Sequence, residues 1–133
     1  MSNSRISKKE RNLIKGAIRR VFSRSELRQE VIKRCIDKDH IDLTRPRVKT
    51  WCKCELCGTY IAKSSMVVDH ISPVIPLDSS MEEMTWEQMI DRLWCDISNL
   101  QGICEQEHAL KTKLENKLRR ENKRAKLKSR SNK

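Results

Sequence analysis

The segment "MVVDHISP", residues 66–73, places apolar β-branched residues directly before an aspartate and a histidine. Such residues are typical of a strand, and Pro73 is typical of a strand's end. Neighbouring side chains of a strand point to opposite faces, so Asp69 and His70 can serve one site only if the strand ends or bends there. The segment therefore predicts a short strand, Met66–Asp69, that ends in a carboxylate next to an imidazole.

Cysteines lie on both sides of this strand. Cys54 and Cys57 have the two-residue spacing of a metal-binding knuckle, and Gly58 follows them as in a tight turn. A second short strand is predicted at Thr59–Ile61, and a short segment returns to the core at Asn99–Cys104.

The chain shows no sign of secretion or membrane insertion. Its first residues lead into charged sequence rather than an apolar signal, and no apolar run approaches the roughly 18 residues of a membrane span. We expect an intracellular protein. In a reducing compartment, six cysteines are more typical of metal ligands or buried residues than of disulfides.

Apolar residues at helical spacing predict four helices. Ser7 and Ser25 are placed to cap two basic amphipathic helices, and Thr85 is placed to cap a third. From Glu105 to about Lys128 there is no glycine or proline, which predicts one long helix. A helix-turn-helix reader of DNA bases is the alternative for the first two helices, but their generic connection favours packing on a core.

Charge is distributed in three blocks along a chain whose formal net charge is +11. Residues 1–50 hold 15 basic and 6 acidic residues, residues 51–110 hold 3 and 10, and residues 111–133 hold 11 and 2. An acidic middle between basic ends suggests a polyanion held by the ends and a cation held by the carboxylates. Solubilising tails are the alternative, but the reversal of sign favours nucleic acid and a metal ion.

The order of several motifs resembles the HNH endonucleases, particularly the small free-standing enzymes of tailed phages. The knuckle and the Asp-His pair are followed by "ISNLQGIC" at 97–104 and "EQEHALKT" at 105–112. The resemblance implies an α+β protein with a ββα-metal core, in which an antiparallel hairpin and a helix hold one divalent ion. It divides the chain into a basic helical arm with a linker, a nuclease core, and a basic C-terminal helix or tail: 1–50, 51–112 and 113–133.

The resemblance also assigns roles. His70 matches the general base, a task that suits a neutral imidazole near pH 7. Asp69 and His108 match the two protein ligands of the metal, and Asn99 matches a residue whose amide bridges backbone groups and fixes the loop carrying the base. Magnesium or manganese is the ion expected, although a histidine ligand also admits nickel, cobalt or zinc.

Many relatives close a structural zinc site with two Cys-x2-Cys pairs, whereas this chain has one complete pair. Cys104 opens the second pair, but Glu107 stands where its last cysteine is expected. Zinc accepts carboxylate oxygen, so one candidate set is Cys54, Cys57, Cys104 and Glu107. Cys52 or Cys95 as the fourth ligand, and buried cysteines without zinc, are the alternatives.

The sequence therefore favours a metal-dependent endonuclease acting on double-stranded DNA. The resemblance further implies that it nicks one strand per active site and leaves a 3′-hydroxyl and a 5′-phosphate. Homing or another role in phage DNA processing is expected by analogy. Candidate phosphate contacts are Arg45, Arg47, Lys111, Arg119 and Arg120.

Two residues also have a structural interpretation, and two other functions compete with the endonuclease. Lys111 could contact phosphate, but a position on a basic helix favours an ordinary exposed lysine, and His40 is interpreted as a histidine without a catalytic role. A non-catalytic zinc-knuckle DNA-binding module is the alternative function, although it needs no base at His70. An RNA-binding protein ranks last because few aromatic residues are free to stack on bases.

Overall fold

The chain is described here by a computed structural model that covers residues 5–131. Residues 1–4 and the last two residues of the predicted basic tail, 132–133, lie outside the described part. The fold is α+β, as predicted, with two small two-stranded antiparallel sheets. The elements in chain order are α1 (Lys8–Phe22), α2 (Glu26–Cys35), β1 (Trp51–Lys53), β2 (Tyr60–Ala62), β3 (Val67–His70), α3 (Trp86–Leu93), β4 (Leu100–Ile103) and α4 (Glu105–Ser131).

The helix starts follow from local sequence and confirm the predicted caps. The Ser7 hydroxyl accepts from the Glu10 amide, and the Ser25 hydroxyl accepts from the Arg28 amide. Thr85 forms a full capping box with the residue three positions later. Each contact satisfies a backbone N–H that has no partner inside the helix.

The strands pair in two separate sheets. β1 pairs with β2, with Trp51 opposite Ala62. β3 pairs with β4, with Val67 opposite Ile103 and His70 opposite Leu100. The two predicted strands form, but each is displaced by one residue, so β3 ends at His70 rather than at Asp69.

The N-terminal helices share one interior with the sheets. A buried cluster joins Phe22 of α1, Val31 of α2, Met89 and Leu93 of α3, and Leu100 of β4. Residues 1–50 therefore supply part of the core that supports β3 and β4.

α4 is continuous from residue 105 to residue 131 and crosses the predicted boundary at 112 without a break. Beyond the sheet its side chains donate to backbone carbonyls of the loop that follows β3. Arg119 donates to Ile75 and Pro76, and Asn122 donates to Leu77. Within residues 5–131, no helix combines the length and the apolar character needed to cross a membrane.

Candidate active site and cysteine cluster

His70 is the last residue of β3, and its ring is held from the side of α3. Nε2 lies 2.8 Å from the backbone oxygen of Leu93, and the ring of Phe22 lies 5.0 Å away between centroids. A carbonyl oxygen only accepts, so Nε2 of the neutral ring carries the hydrogen and Nδ1 keeps the lone pair. Burial lowers the pKa of His70 below its usual value. The ring is therefore neutral at a pH near 7, and its Nδ1 is able to accept a proton.

Asp69 precedes His70 and is nearly buried, with 10% of its side chain exposed. Its Oδ2 accepts a hydrogen bond from Gln101 Nε2 at 3.0 Å and lies 3.2 Å from Lys111 Nζ. Its Oδ1 faces His108, whose Nε2 is 3.9 Å away. One carboxylate oxygen is thus fixed by neighbours, and the other points at the histidine of α4.

Lys111 is part of this arrangement and is not exposed as expected, since only 18% of its side chain is accessible. Besides contacting Asp69, its ammonium donates to the backbone oxygen of His70 at 3.0 Å and to Glu115 Oε2 at 2.8 Å. One cation therefore joins α4 to the end of β3. The sequence suggested an exposed side chain because an isolated lysine on a basic helix carries no sign of these three oxygen partners.

Asn99 holds the chain just after His70. Its Oδ1 accepts from the Ser72 amide at 2.9 Å, and its Nδ2 donates to the Ser72 carbonyl at 3.2 Å. The Asn99 backbone oxygen also accepts from the Ile71 amide at 2.8 Å. Asn99 therefore bridges backbone groups beside the histidine, the geometry that the resemblance ascribes to it.

A cleft of about 610 Å³ opens in front of these residues. Asp69 and His70 both line it, although they are neighbours on one strand, and His108 lines it from α4. The strand ends at this pair. As expected from the alternation of side chains along a strand, this ending allows Asp69 and His70 to face the same cleft. Arg19 of α1 adds a positive charge to the wall.

Asp69 and His108 fit a divalent cation. Each would lie about 2.1 Å from an ion of this kind, so two ligand atoms 3.9 Å apart can contact the same one. The set of one carboxylate oxygen and one imidazole nitrogen suits manganese, zinc or nickel and admits magnesium.

The second candidate site lies at the knuckle. The sulfur atoms of Cys54, Cys57 and Cys104 all lie within 4.8 Å of one another, and those of Cys57 and Cys104 are 3.7 Å apart. Sulfurs bound 2.3 Å from a tetrahedral zinc are separated by about 3.8 Å. The three thiols could therefore hold a metal ion such as zinc.

Local backbone geometry builds this cluster. Gly58 adopts a φ of 74°, which turns the chain back so that the Gly58 amide donates to the Cys54 carbonyl. Amides of Cys57 and Cys104 point at the Cys54 sulfur, at 3.5 and 3.3 Å. Amide donors of this kind stabilise a thiolate, the form that binds metal.

The cysteines differ in their readiness to ionise. Cys57 is exposed, and its contact with the Thr59 hydroxyl lowers the pKa of its thiol to about 7. Burial raises the pKa of the Cys104 thiol. Cys57 is therefore partly ionised to the thiolate at neutral pH.

The candidates for a fourth ligand do not join the three thiols in the described part of the chain. Glu107 lies on the first turn of α4 but is outside the group of mutually close ligand atoms. Cys52 is buried in a different cluster, with Ile32 and Met66. Cys95 lies beside the Asn99 amide.

The remaining candidate DNA contacts differ in whether their side chains are exposed or already bonded within the protein. Arg45 is exposed and lies over the Trp51 ring at 5.4 Å, and Arg47 is exposed as well. Arg119 already donates to two carbonyls of the loop after β3, whereas Arg120 is exposed. His40 stacks on Tyr60 with ring centroids 3.7 Å apart, in agreement with its structural interpretation.

Sequence reasoning missed two contributors to the candidate active site. Gln101 orients Asp69 from the neighbouring strand, and its only sequence signal is its place in the segment "NLQ". The Leu93 carbonyl, which orients His70, has no sequence signal because it is a backbone atom.

Comparisons of the chain with protein-family models, with curated proteins and with solved structures found no match.

Proposed function

We propose that this protein is a metal-dependent DNA endonuclease with a ββα-metal core of the HNH type, formed by β3, β4 and the start of α4. The observation that carries the proposal is the convergence of His70, Asp69 and His108 on one cleft. A carboxylate and an imidazole at ion-binding distance stand there beside a second, neutral imidazole, and a simple binding module has no need of that second imidazole.

His70 acts as the general base. Its Nε2 hydrogen is directed to Leu93, so Nδ1 is the atom that takes a proton from the attacking water. Loss of that proton makes the water a stronger nucleophile, and its oxygen bonds to phosphorus while the bond from phosphorus to the 3′ oxygen breaks. The departing 3′ oxygen takes a proton from solvent, which gives a 3′-hydroxyl and leaves the phosphate on the 5′ side. The Asn99 bridge limits movement of the backbone next to the base.

Asp69 and His108 would hold one divalent ion, magnesium or manganese, which when bound supplies positive charge to stabilise the charge that develops on the phosphate oxygens. Gln101 and Lys111 keep the Asp69 carboxylate oriented. Lys111 also adds positive charge to the wall of the cleft, where a phosphate would lie.

The three-thiol cluster is proposed to hold a structural zinc. Cys54 and Cys57 belong to the knuckle after β1, and Cys104 directly precedes α4. An ion bound there would join the knuckle to the start of the helix that carries His108. Glu107 is not part of this proposal, because it lies outside the cluster.

A non-catalytic zinc-knuckle DNA-binding module is the second candidate. The cysteine cluster and the basic surface favour it as much as they favour an enzyme. The ordered tautomer of His70 and the clamped Asp69 favour the enzyme, because a binding module needs neither.

The decisive experiment is relaxation of supercoiled plasmid with magnesium or manganese. We expect wild-type protein to produce open circles, and we expect EDTA or His70→Ala to abolish them at equal protein concentration. His40→Ala is the matched control, since His40 packs against the rings of Tyr60 and Trp51 and does not line the His70 cleft, and it should retain nicking. If the protein binds the plasmid but never nicks it with any divalent ion, the proposal is wrong and the protein is better described as a binding module.

A further inference from the structure

A second basic groove lies away from the cleft that contains His70. Its walls come from α2, from the linker before β1 and from the end of β2, and it encloses about 620 Å³. Four basic side chains line it, Arg28, Arg47, Lys49 and Lys63, and no carboxylate does. None of its lining residues belongs to the His70 cleft. We call it the linker groove.

The cations of the linker groove have no anionic partners among the residues that the structure describes. Elsewhere, Arg34 is paired with Glu55, and Lys111 is paired with both Asp69 and Glu115. In contrast, none of the four groove cations makes an ion pair with any residue of the described range 5–131. Within the same range, their side chains donate two long hydrogen bonds of 3.4 Å, from Arg28 to the Ser23 carbonyl and from Lys49 to the Pro46 carbonyl.

Four unpaired cations in one open groove repel each other, and the chain gains nothing from collecting them unless an external anion neutralises them. The lining also offers hydroxyl groups from Thr50 and Ser64 and an amide from Gln29. Guanidinium, ammonium and hydroxyl donors are the groups that contact phosphate oxygens. The ligand chemistry is therefore a run of phosphates.

The lining contains no aromatic side chain. Unpaired bases of single-stranded nucleic acid bind on aromatic platforms, whereas a duplex backbone needs only charge and hydrogen-bond donors. Trp51, the nearest ring in sequence, is 5% exposed and covered by Arg45. The groove therefore matches the sugar-phosphate backbone of a duplex better than single-stranded RNA.

We propose that the linker groove binds phosphates of duplex DNA outside the segment that lies at His70, and that it supplies affinity without taking part in bond cleavage. This inference rests on the proposed function only for the identity of the partner. A second contact makes the footprint longer than the cleft alone would give.

The test compares two variants that lose the same net charge. The groove variant is Arg47→Ser with Lys49→Ser and Lys63→Ser, and the control is Lys9→Ser with Arg24→Ser and Lys38→Ser. All six residues are exposed, and the three control residues lie outside the linker groove. Circular dichroism melting of both variants verifies that the fold is retained.

Binding to a duplex of about 30 base pairs is measured by fluorescence anisotropy over a range of salt concentrations, without added magnesium or manganese and without a chelator, so that any metal at the cysteine cluster stays in place. Each lost phosphate contact reduces the slope of log K against log salt by about 0.9, so the groove variant should lose about 2 to 3 from the slope. The control should keep most of its slope. Equal slopes in the two variants would overturn the proposal, as would a wild-type preference for single-stranded RNA of equal length.

Cleavage is measured separately on the same variants. With protein in excess over plasmid and above the dissociation constant, the groove variant should nick at the wild-type rate, while its half-saturating concentration rises. Absence of nicking in every protein would reject the proposed function but leave the binding result valid. Normal nicking with an unchanged salt slope would reject the groove alone.

Discussion

Lys15 is fully buried in the interior of the molecule, although lysine is almost never found there. It lies in α1, and its ammonium donates to the backbone oxygens of Met81 and Met84, at 2.7 Å for Met81. Burial lowers the pKa of Lys15. The side chain thus joins α1 to the turn before α3 with hydrogen bonds that a neutral amine would still form.

Replacing Lys15 with methionine should destabilise the protein, because the buried Met84 carbonyl loses its donor and the Met81 carbonyl keeps only the Met84 amide, while the apolar stem is largely preserved. The expected loss in the free energy of unfolding is about 1 to 3 kcal/mol. Urea unfolding near neutral pH measures it. Unchanged stability would mean that the two carbonyls are satisfied in another way.

The same residue makes a prediction about pH. Below 10.5 the unfolded chain keeps the Lys15 proton more firmly than the folded chain does, because the folded pKa is lowered. Stability should therefore rise with pH in the interval between the folded pKa and 10.5. As pH is raised towards about 10, the urea midpoint of wild type should increase relative to that of Lys15→Met. A parallel response of the two proteins would contradict the shifted pKa.

Asn99 allows a prediction about positioning. In Asn99→Ala both side-chain bonds to the Ser72 backbone are lost, and the segment after His70 becomes free to move. Nicking at saturating DNA should fall at least about tenfold, since a misplaced base costs rate even when binding is retained. Melting temperature, measured alongside, should fall by only a few degrees. A loss of activity that simply follows the unfolded fraction would contradict a positioning role.

Individual residues were predictable where their chemistry is local. The pairing of a carboxylate with an imidazole at the end of a strand, and the spacing of Cys54 and Cys57, depend on adjacent positions. Lys111 could not be interpreted correctly, because its partners come from 42 positions before it and from the next turn of α4. Long-range contacts of a single flexible side chain leave no pattern in sequence.

At the scale of elements, β4 and α2 approach each other closely at Gly102. A Cβ at this position would lie 2.6 Å from the Cys35 sulfur and 2.9 Å from the Met66 sulfur. Glycine is required here for space rather than for backbone conformation, since its φ is not positive. The strand that pairs with the Asp69–His70 segment is therefore held against α2 with no room for a methyl group.

Gly102→Ala should destabilise the protein by about 1 to 3 kcal/mol, because two buried side chains must move to accept the methyl group. Gly16→Ala is the matched control. Its Cβ would meet only the tip of Arg20, at 3.5 Å, and alanine favours a helix over glycine by about 1 kcal/mol. In thermal or urea unfolding, the midpoint of Gly102→Ala should fall below that of wild type, and the midpoint of Gly16→Ala should rise above it. Tolerance of Gly102→Ala would show that α2 packs less tightly on β4.

Helices were more predictable than sheets for a physical reason. Ser7, Ser25 and Thr85 bond to backbone amides three residues away, so each cap is written in one short segment. Strand pairing depends on residues far apart: β3 pairs with β4 across the segment 71–99. The sequence indicated a strand at Met66–Asp69 and only a short return segment at Asn99–Cys104, and it contained nothing that names the partner of either.

At the scale of the whole molecule, the cysteine cluster joins the knuckle to the β4–α4 junction through three thiols that could hold a metal ion. Protein purified without added metal should contain about one zinc per chain, as measured by elemental analysis, and Cys104→Ser should lose it. Glu107→Gln is the matched control and should retain the metal, since Glu107 lies outside the cluster. Metal content well below one per chain in folded wild type would contradict a structural zinc.

Removing that metal should weaken the fold, because a site formed only in the folded state adds its binding energy to stability. A strong chelator should lower the melting temperature of wild type and leave Cys104→Ser unaffected.

The basic residues at the two ends of the sequence fall into two groups in the folded protein. Some cations of α4, such as Arg119, hold the loop after β3 internally, whereas the unpaired cations of the linker groove face outward.

The partner of the proposed base is a main-chain atom, the oxygen of Leu93. Every amino acid at position 93 brings the same oxygen, so an alanine scan would score this position for packing alone and would overlook its influence on His70. Replacing the amide between residues 93 and 94 with an ester weakens the acceptor and leaves every side chain in place. The hydrogen bond that orients the imidazole can therefore be weakened by chemical replacement of one backbone group, whereas a side-chain substitution can break this bond only by moving the backbone of α3 or the ring of His70.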